Sequence, residues 1–265
     1  MHLVSLTATD LVLAAGLVLL LAVLSIRMQL GLANEILVAA VRTVVQLLLI
    51  GLVLKALFAN VSLVWIALIA FIMLMVAGRE VMVRQQRGLA GWWGFGVGTF
   101  SMFISSFSVT LLALVIIIGP DPWYTPQYAI PLLGMMLGNT MSGVTLGLDR
   151  LTQGSWQQRT IIEARLMLGQ DWAQTIADIR RESMRVGMIP MINAMATAGL
   201  VSLPGMMTGQ ILAGSPPLEA VKYQILVMFL ITAATGFGTV AAVWIGSRRL
   251  FDERQRLRLD HLRVK

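Results

Sequence analysis

The stretch Gly199-Leu200-Val201-Ser202-Leu203-Pro204-Gly205-Met206-Met207-Thr208-Gly209 sits in one of the most apolar parts of the chain, yet it carries Pro204 beside Gly205. Proline lacks an amide proton and clashes with the preceding helical turn, and glycine adds backbone freedom. In a soluble domain such a pair marks a loop. Here apolar sequence runs on both sides, from Val186 to Ala213. Lipid cannot satisfy backbone groups freed by a helix break, so a break at membrane depth is tolerated only inside protein or beside a watery cavity. The stretch therefore predicts a gate or a solute-facing bend in a transport protein. The plainer alternative is a helix end opening an exterior loop.

Composition points the same way. The 265 residues are 57% hydrophobic and only 12% charged, with a mean hydropathy of +0.81, whereas soluble domains carry roughly 25% charge. This predicts an all-α, polytopic membrane protein. Cysteine is absent, which excludes disulfides and thiolate metal sites. The two histidines, His2 and His261, stand at opposite ends, which excludes a histidine metal site in the membrane. A net charge of +7 reflects loop retention in a membrane protein rather than nucleic-acid binding.

Seven apolar runs follow one another: Leu11 to Ile26, Ile36 to Phe58, Val61 to Ala77, Phe95 to Ile118, Ala129 to Leu148, Val186 to about Pro204, and Leu218 to Gly246. Most approach the ~20 residues that cross the hydrocarbon. No Lys or Arg precedes the first run and no small-residue cleavage site follows it, so it reads as a span rather than a signal peptide. Of the 20 basic residues, all but Arg42, Lys55 and Lys222 fall in segments after odd-numbered runs. The positive-inside rule then predicts an outside N-terminus and a cytoplasmic C-terminus. Residues 1–248 form a permease domain with a cytoplasmic insertion at 149–185, and 249–265 form a basic tail, expected to be helical. Trp123 and Tyr124 fall at the outer interface, and Trp92, Trp93 and Trp244 at the inner one. Gly134, Gly138 and Ser142, and likewise Gly94 and Gly98, form four-residue ridges of small side chains that let helices approach closely, within the chain or between subunits.

The thirteen acidic residues all lie outside the centres of the spans. Ion-coupled carriers place a carboxylate or histidine inside the membrane, and this chain offers neither. It also lacks G-x-x-x-x-G-K-[ST], so it carries no P-loop of its own. The insertion suggests another energy source. Its Glu163-Ala164, with Gly169 six residues after the glutamate and Ile179 ten further on, resembles the EAA loop of ABC-transporter permeases, in which a short helix seats in a groove of the ATPase. Arg165 replaces the second alanine of that pattern, and Glu182 stands at its final proline. Without the resemblance, the segment reads as an amphipathic interfacial helix.

Three further segments, Arg42 to Leu47, Gly134 to Met141, and Gly199 to Gly209 continuing to Gln224, are similar to the FetB-type family. Those proteins are permease subunits of an ABC transporter assigned to iron export. Their plant relatives are linked to aluminium tolerance, with nucleotide-sugar transport as one route. The resemblance implies a separate ATPase partner that binds ATP and magnesium, two copies of the permease, and residence in the plasma membrane. Family members often carry Asp and Lys where this chain has Asn193 and Ala196. That departure removes the one membrane carboxylate a hard cation could use.

On this reading Glu163, Ala164, Gly169 and Ile179 contact the ATPase. Ser202, Leu203, Pro204, Gly205, Met206, Met207 and Thr208 line the external end of the pathway, with Asn139 and Asn193 as buried amides either along it or bonding between helices. From Val186 to Pro204 is about 18 residues, ~27 Å, so the break is expected near the outer face. Arg42 and Gln46 are intramembrane polar residues of the second span, able to snorkel or to bond to another helix. Met184, Met188, Met191 and Met195 share one helical face. That stripe suits Cu(I) or, more commonly, flexible packing. The rivals are an ABC permease for a nucleotide sugar or similar metabolite, and, in a different class, an ion-coupled carrier or channel.

Overall fold

The computed structural model describes residues 7–59 and 61–262; His2, Asn60 and tail residues 263–265 lie outside them. Among the described residues the regular structure is helical, apart from three isolated β-bridges. The helices are α1 Ala8–Arg27, α2 Ala33–Ala59, α3 Leu63–Arg84, α4 Trp92–Ile118, α5 Pro126–Gln157, α6 Arg159–Met167, α7 Trp172–Thr175, α8 Ala177–Thr197, α9 Gly205–Leu212 and α10 Pro217–Arg249. Six of them, α1 to α5 and α10, are long and apolar enough to cross a membrane. The sixth apolar run is the second half of α8, whose first half carries Asp178, Arg180, Arg181, Glu182 and Arg185.

The chain forms two compact units, one of residues 1–62 with 212–214, the other of 63–211 with 215–265. In the first, α1 and α2 pack against each other. Helix α1 starts where the Asp10 carboxylate accepts the Thr7 amide at 2.8 Å. In the second unit, α5 packs against α10, α8 and α3, and α3 returns against α4. Buried Leu74, Val81, Met102, Leu148, Leu151 and Val243 share its core. Glycines set the helix spacing. A Cβ on Gly143 would stand 2.9 Å from the Gly187 carbonyl oxygen, and one on Gly187 would stand 2.6 Å from that of Gly143. Gly147 likewise faces Val243, and Gly98 faces Val81.

The structure corrects the expectations in four places. The break starts before Pro204-Gly205 and spans 198–204, with Pro204 at its end. Helix α8 stops at Thr197, and Gly205 is the first residue of α9. Gly199 turns the chain at φ +85. The Thr197 carbonyl collects the amides of Leu200, Val201 and Ser202 at 3.0–3.3 Å, while Gly199 N–H donates to the Ser202 carbonyl at 2.9 Å. Pro204 stands just before a helix, where a missing N–H is harmless. Its own carbonyl accepts the Thr208 amide at 3.1 Å.

The ridge on α5 is the second correction. Within the chain only Gly134 of that ridge packs, against Met73, whereas Gly138 has nothing within 4 Å of an added Cβ and Ser142 is exposed; the tightest packing on α5 is at Gly143 and Gly147. The ridge of Gly94 and Gly98 does pack, against Leu89 and Val81. Third, α4 is not a plain helix: it carries π turns at Phe103–Phe107 and Ala113–Ile118. Fourth, the tail is not α-helical beyond Arg249; its only helical element among the described residues is a single 3-10 turn at Leu259–His261. It forms a hairpin, with Phe251 bridged to Leu257, and Leu262 pairs with Leu89. Leu250, Phe251 and Leu262 are buried in the core, which holds the tail down.

Candidate functional site

The segment 159–179 folds as two short helices around an elbow. Buried Ile162 anchors α6, while Met167 and Leu168 at its end are 86% and 84% exposed. Gly169 terminates α6 with φ +87. Its amide donates to the Leu166 carbonyl at 3.0 Å, and Gln170 N–H donates to the Arg165 carbonyl at 3.2 Å. That pair of bonds is the Schellman termination, which favours glycine at its left-handed position. An added Cβ there would meet nothing within 4 Å, so the demand for glycine is conformational. Asp171 then caps α7, its carboxylate accepting the Gln174 amide at 2.7 Å.

Arg165, the departure from the EAA pattern, bridges α6 to α8. Its Nη1 donates to the Thr175 carbonyl at 3.2 Å and pairs with Asp178 at 3.2 Å. Glu163, Ala164 and Gly169 therefore share one exposed elbow. Ile179 does not join them: it is buried against Gly154 and holds the base of the elbow.

The elbow stands at an arginine-rich end built from cation–π stacks. The guanidinium of Arg87 lies 4.3 Å from the Trp156 ring, that of Arg249 4.1 Å from Trp93, and that of Arg248 5.1 Å from Trp172. The Asp149 carboxylate ties the α3–α4 loop to α5 by accepting the Gln86 amide at 2.9 Å and the Gln153 side chain at 2.6 Å. Composition alone marked these residues only as topology signals.

The second candidate region lies where α5, α8 and α10 cross. A cavity of about 60 Å³ is lined by Asn139, Ser142, Pro190, Met191, Ala194 and Thr235, with Gly143 and Gly187. Asn139 is exposed at the rim of the cavity rather than buried, and among the described residues it bonds to no other helix: it donates to the Met135 carbonyl at 2.8 Å, one turn back on its own helix. The Thr235 hydroxyl is buried without a partner. Nearby, Ser106 donates to the Thr140 hydroxyl at 3.3 Å, and Thr239 is fully buried. This hydroxyl cluster was missed in the sequence; its signal is the spacing of Thr232, Thr235 and Thr239 together with Ser101, Ser105 and Ser106. Asn193 does not line the cavity. It is exposed on α8, where its backbone carbonyl accepts the Thr197 hydroxyl at 3.0 Å.

Ser202 and Leu203 are exposed in the turn, with Leu200 91% and Val201 84% exposed beside them. Met206, Met207 and Thr208 are half-buried on α9. The methionine stripe fills the seam between α8 and α10: Met191 is buried, Met188 approaches Gly236, and the Met195 sulfur accepts the Thr232 hydroxyl at 3.1 Å. Among the described residues no three His, Asp or Glu side chains come together as metal ligands. Arg42 and Gln46 both lie exposed on α2.

The sequence that forms these helices and the elbow has relatives. The profile of the uncharacterised protein family UPF0014 matches residues 8–251. A UPF0014 membrane protein of Synechocystis is 40% identical over 232 residues, covering 86% of this chain and 87% of the relative. The probable iron export permease protein FetB of Escherichia coli is 31% identical over 265 residues, covering 98% of each chain. The UPF0014 membrane protein STAR2 of rice is 35% identical over 232 residues, covering 88% of this chain and 79% of the relative. No solved structure matches the chain. The family match runs from the first helix into the tail hairpin, and with these relatives it means that the chain is a member of the UPF0014 family of membrane proteins.

Proposed function

We propose that this chain is the permease subunit of an ABC-type exporter, energised by a separate ATPase that binds ATP and magnesium. The observation that carries this reading is the elbow at Gly169, which leaves Met167 and Leu168 exposed for a partner above a base anchored by Ile162, Arg165 and Ile179. The likeness to a probable iron export permease supports iron or another metal as the exported solute. Two copies form the translocating unit in the plasma membrane. In this reading α8, with residues 198–212, makes a seventh crossing. The N-terminus lies outside, and the elbow and tail lie in the cytoplasm, on the side where the arginines gather.

A second substrate class has its own support. The cavity at Asn139 offers amide, hydroxyl and carbonyl oxygens and no carboxylate. Hard multivalent cations favour carboxylates, so a neutral set of donors leaves a metabolite such as a nucleotide sugar as the rival solute, for which the cavity, at about 60 Å³, would have to open during transport.

The test is purification of the tagged chain from its own membranes in mild detergent. The account expects a P-loop ATPase to co-purify and the preparation to hydrolyse ATP with vanadate sensitivity. A chain that transports without any such subunit contradicts it.

A further inference from the structure

We propose that the hairpin of the C-terminal tail is the second wall of the ATPase dock, so that the partner grips the elbow and the tail together. The inference rests on the reading of the elbow as that dock. The occupant is the ATP-binding subunit, through a surface that offers an apolar pocket to Met167 and Leu168 and a carboxylate to Arg254.

The tail and the elbow enclose a single groove of about 520 Å³, with Glu163, Met167 and Gly169 on one side and Arg254 and Gln255 on the other. The hairpin closes through Gln255 N–H to the Asp252 carbonyl and Asp252 N–H to the Arg256 carbonyl, both at 3.1 Å. Such three-residue loops end in a left-handed residue, usually glycine. Here that residue is Gln255, at φ +60. A strained conformation of this kind persists where its surroundings hold it. The holding contact is specific: the Gln255 side-chain oxygen accepts the Trp172 amide at 3.1 Å. Trp172 is the first residue of α7, and its amide has no intrahelical partner. The Trp172 ring also lies 6.1 Å from that of Phe251. The tail is thus latched to the elbow from both sides of Trp172.

Charge tells what the groove accepts. Arg256 is paired with Asp252 at 2.8 Å, and Arg258 with Asp260 at 2.7 Å. The Arg256 amide holds the Asp252 carboxyl below the usual carboxylate range, which keeps that pair ionised. Among the described residues Arg254 makes no ion pair, and it is exposed beside the groove. It is the hairpin's cation left for a partner's carboxylate, while Glu163 on the facing wall, which also makes no ion pair among the described residues, is open to a partner's cation.

The experiment uses the full chain in detergent or nanodiscs with the purified P-loop subunit that co-purifies with it. Arg254→Glu should raise the Kd by roughly tenfold and flatten its salt dependence, as expected for a contact charge, while Arg254→Lys should bind like the native chain. Gln255→Gly relieves the strained φ and removes the latch. It should leave Tm unchanged or higher and still weaken binding. The chain lacks cysteine, so Leu168→Cys and Arg254→Cys report without background, and both should cross-link to the subunit. If Leu168→Cys cross-links, Arg254→Cys does not, and Arg254→Glu binds normally, the tail inference is overturned and the elbow stands. If the subunit binds but neither position cross-links, both fall. If no P-loop subunit co-purifies, the reading of the dock falls and the tail inference goes with it.

Discussion

Gly143 of α5 and Gly187 of α8 face each other across the helix crossing, each carbonyl oxygen within 3 Å of where the other residue would carry a Cβ. Both Thr235 and Thr239 of α10 close over the same point, each 2.7 Å from a Cβ on Gly143. Three helices are thereby pinned at one level, directly beside the cavity at Asn139. Close approach of this kind brings Cα–H groups to facing carbonyls and is how membrane helices gain packing energy.

The first prediction contrasts two glycines of α5. Gly143→Ala forces a methyl into backbone and side chains and should destabilise by about 1–3 kcal/mol, the usual cost of overpacking. Gly138→Ala meets nothing within 4 Å and should be neutral or stabilising by up to about 1 kcal/mol through helix propensity. Thermal unfolding of the detergent-solubilised chain measures both. Equal Tm values for the two variants would mean that the crossing is not as described.

The second concerns Gly169. With open space around it, only its φ of +87 resists substitution. Gly169→Ala should cost about 1–2 kcal/mol, the penalty for a left-handed L-residue, and Gly169→Asn less. Gly169→Trp adds bulk to the docking elbow and should abolish ATPase stimulation while the chain still inserts. Retention of stimulation by the Trp variant would remove the elbow from the dock.

How much of this was legible in the sequence differs by element. Helices α1 to α5 and α10 followed from length and hydropathy, because each apolar run must bury its backbone polar groups in a helix. The start of the helix break was misplaced by seven residues. Pro204 was read as ending a helix, when proline suits a helix start equally well. Thr197 and Gly199, which make the actual turn, carry only a weak signal. The tightest contact on α5 was not the ridge singled out, because small residues recur along much of the helix. Periodicity then cannot separate Gly134, Gly138 and Ser142 from Gly143 and Gly147. The elbow at Gly169 was legible because a glycine between two short amphipathic segments has one economical conformation. Its latch to Gln255 joins residues far apart in the chain, and no local pattern encodes that.

The third prediction follows from the corrected break. Pairing Gly143 with Gly187, and Gly147 with Ser183, sets Thr197 level with about Leu133 in the antiparallel pair. Helix α8 thus stops about seven residues, or ~10 Å, before the start of α5. In the proposed topology this would set the turn at 198–204 below the outer face of the membrane rather than at it. Pro204→Ala with Gly205→Ala should leave transport near its native level, since Gly205 is already helical. Gly199→Ala should lower transport with little change in abundance. The reverse pattern, measured by solute export from cells, would restore Pro204 as the hinge.

The most direct measurement is ATP-driven movement of solute in inside-out membrane vesicles that contain this chain and its co-purifying ATPase. Radioactive iron should accumulate inside the vesicles with ATP, and should not accumulate with a non-hydrolysable analogue or with Gly169→Trp. If the solute is instead a metabolite, the same ATP dependence should appear with nucleotide sugar and not with iron. Accumulation driven by a proton gradient without ATP, or accumulation that persists without the ATPase, would contradict the account of this chain as an ABC permease.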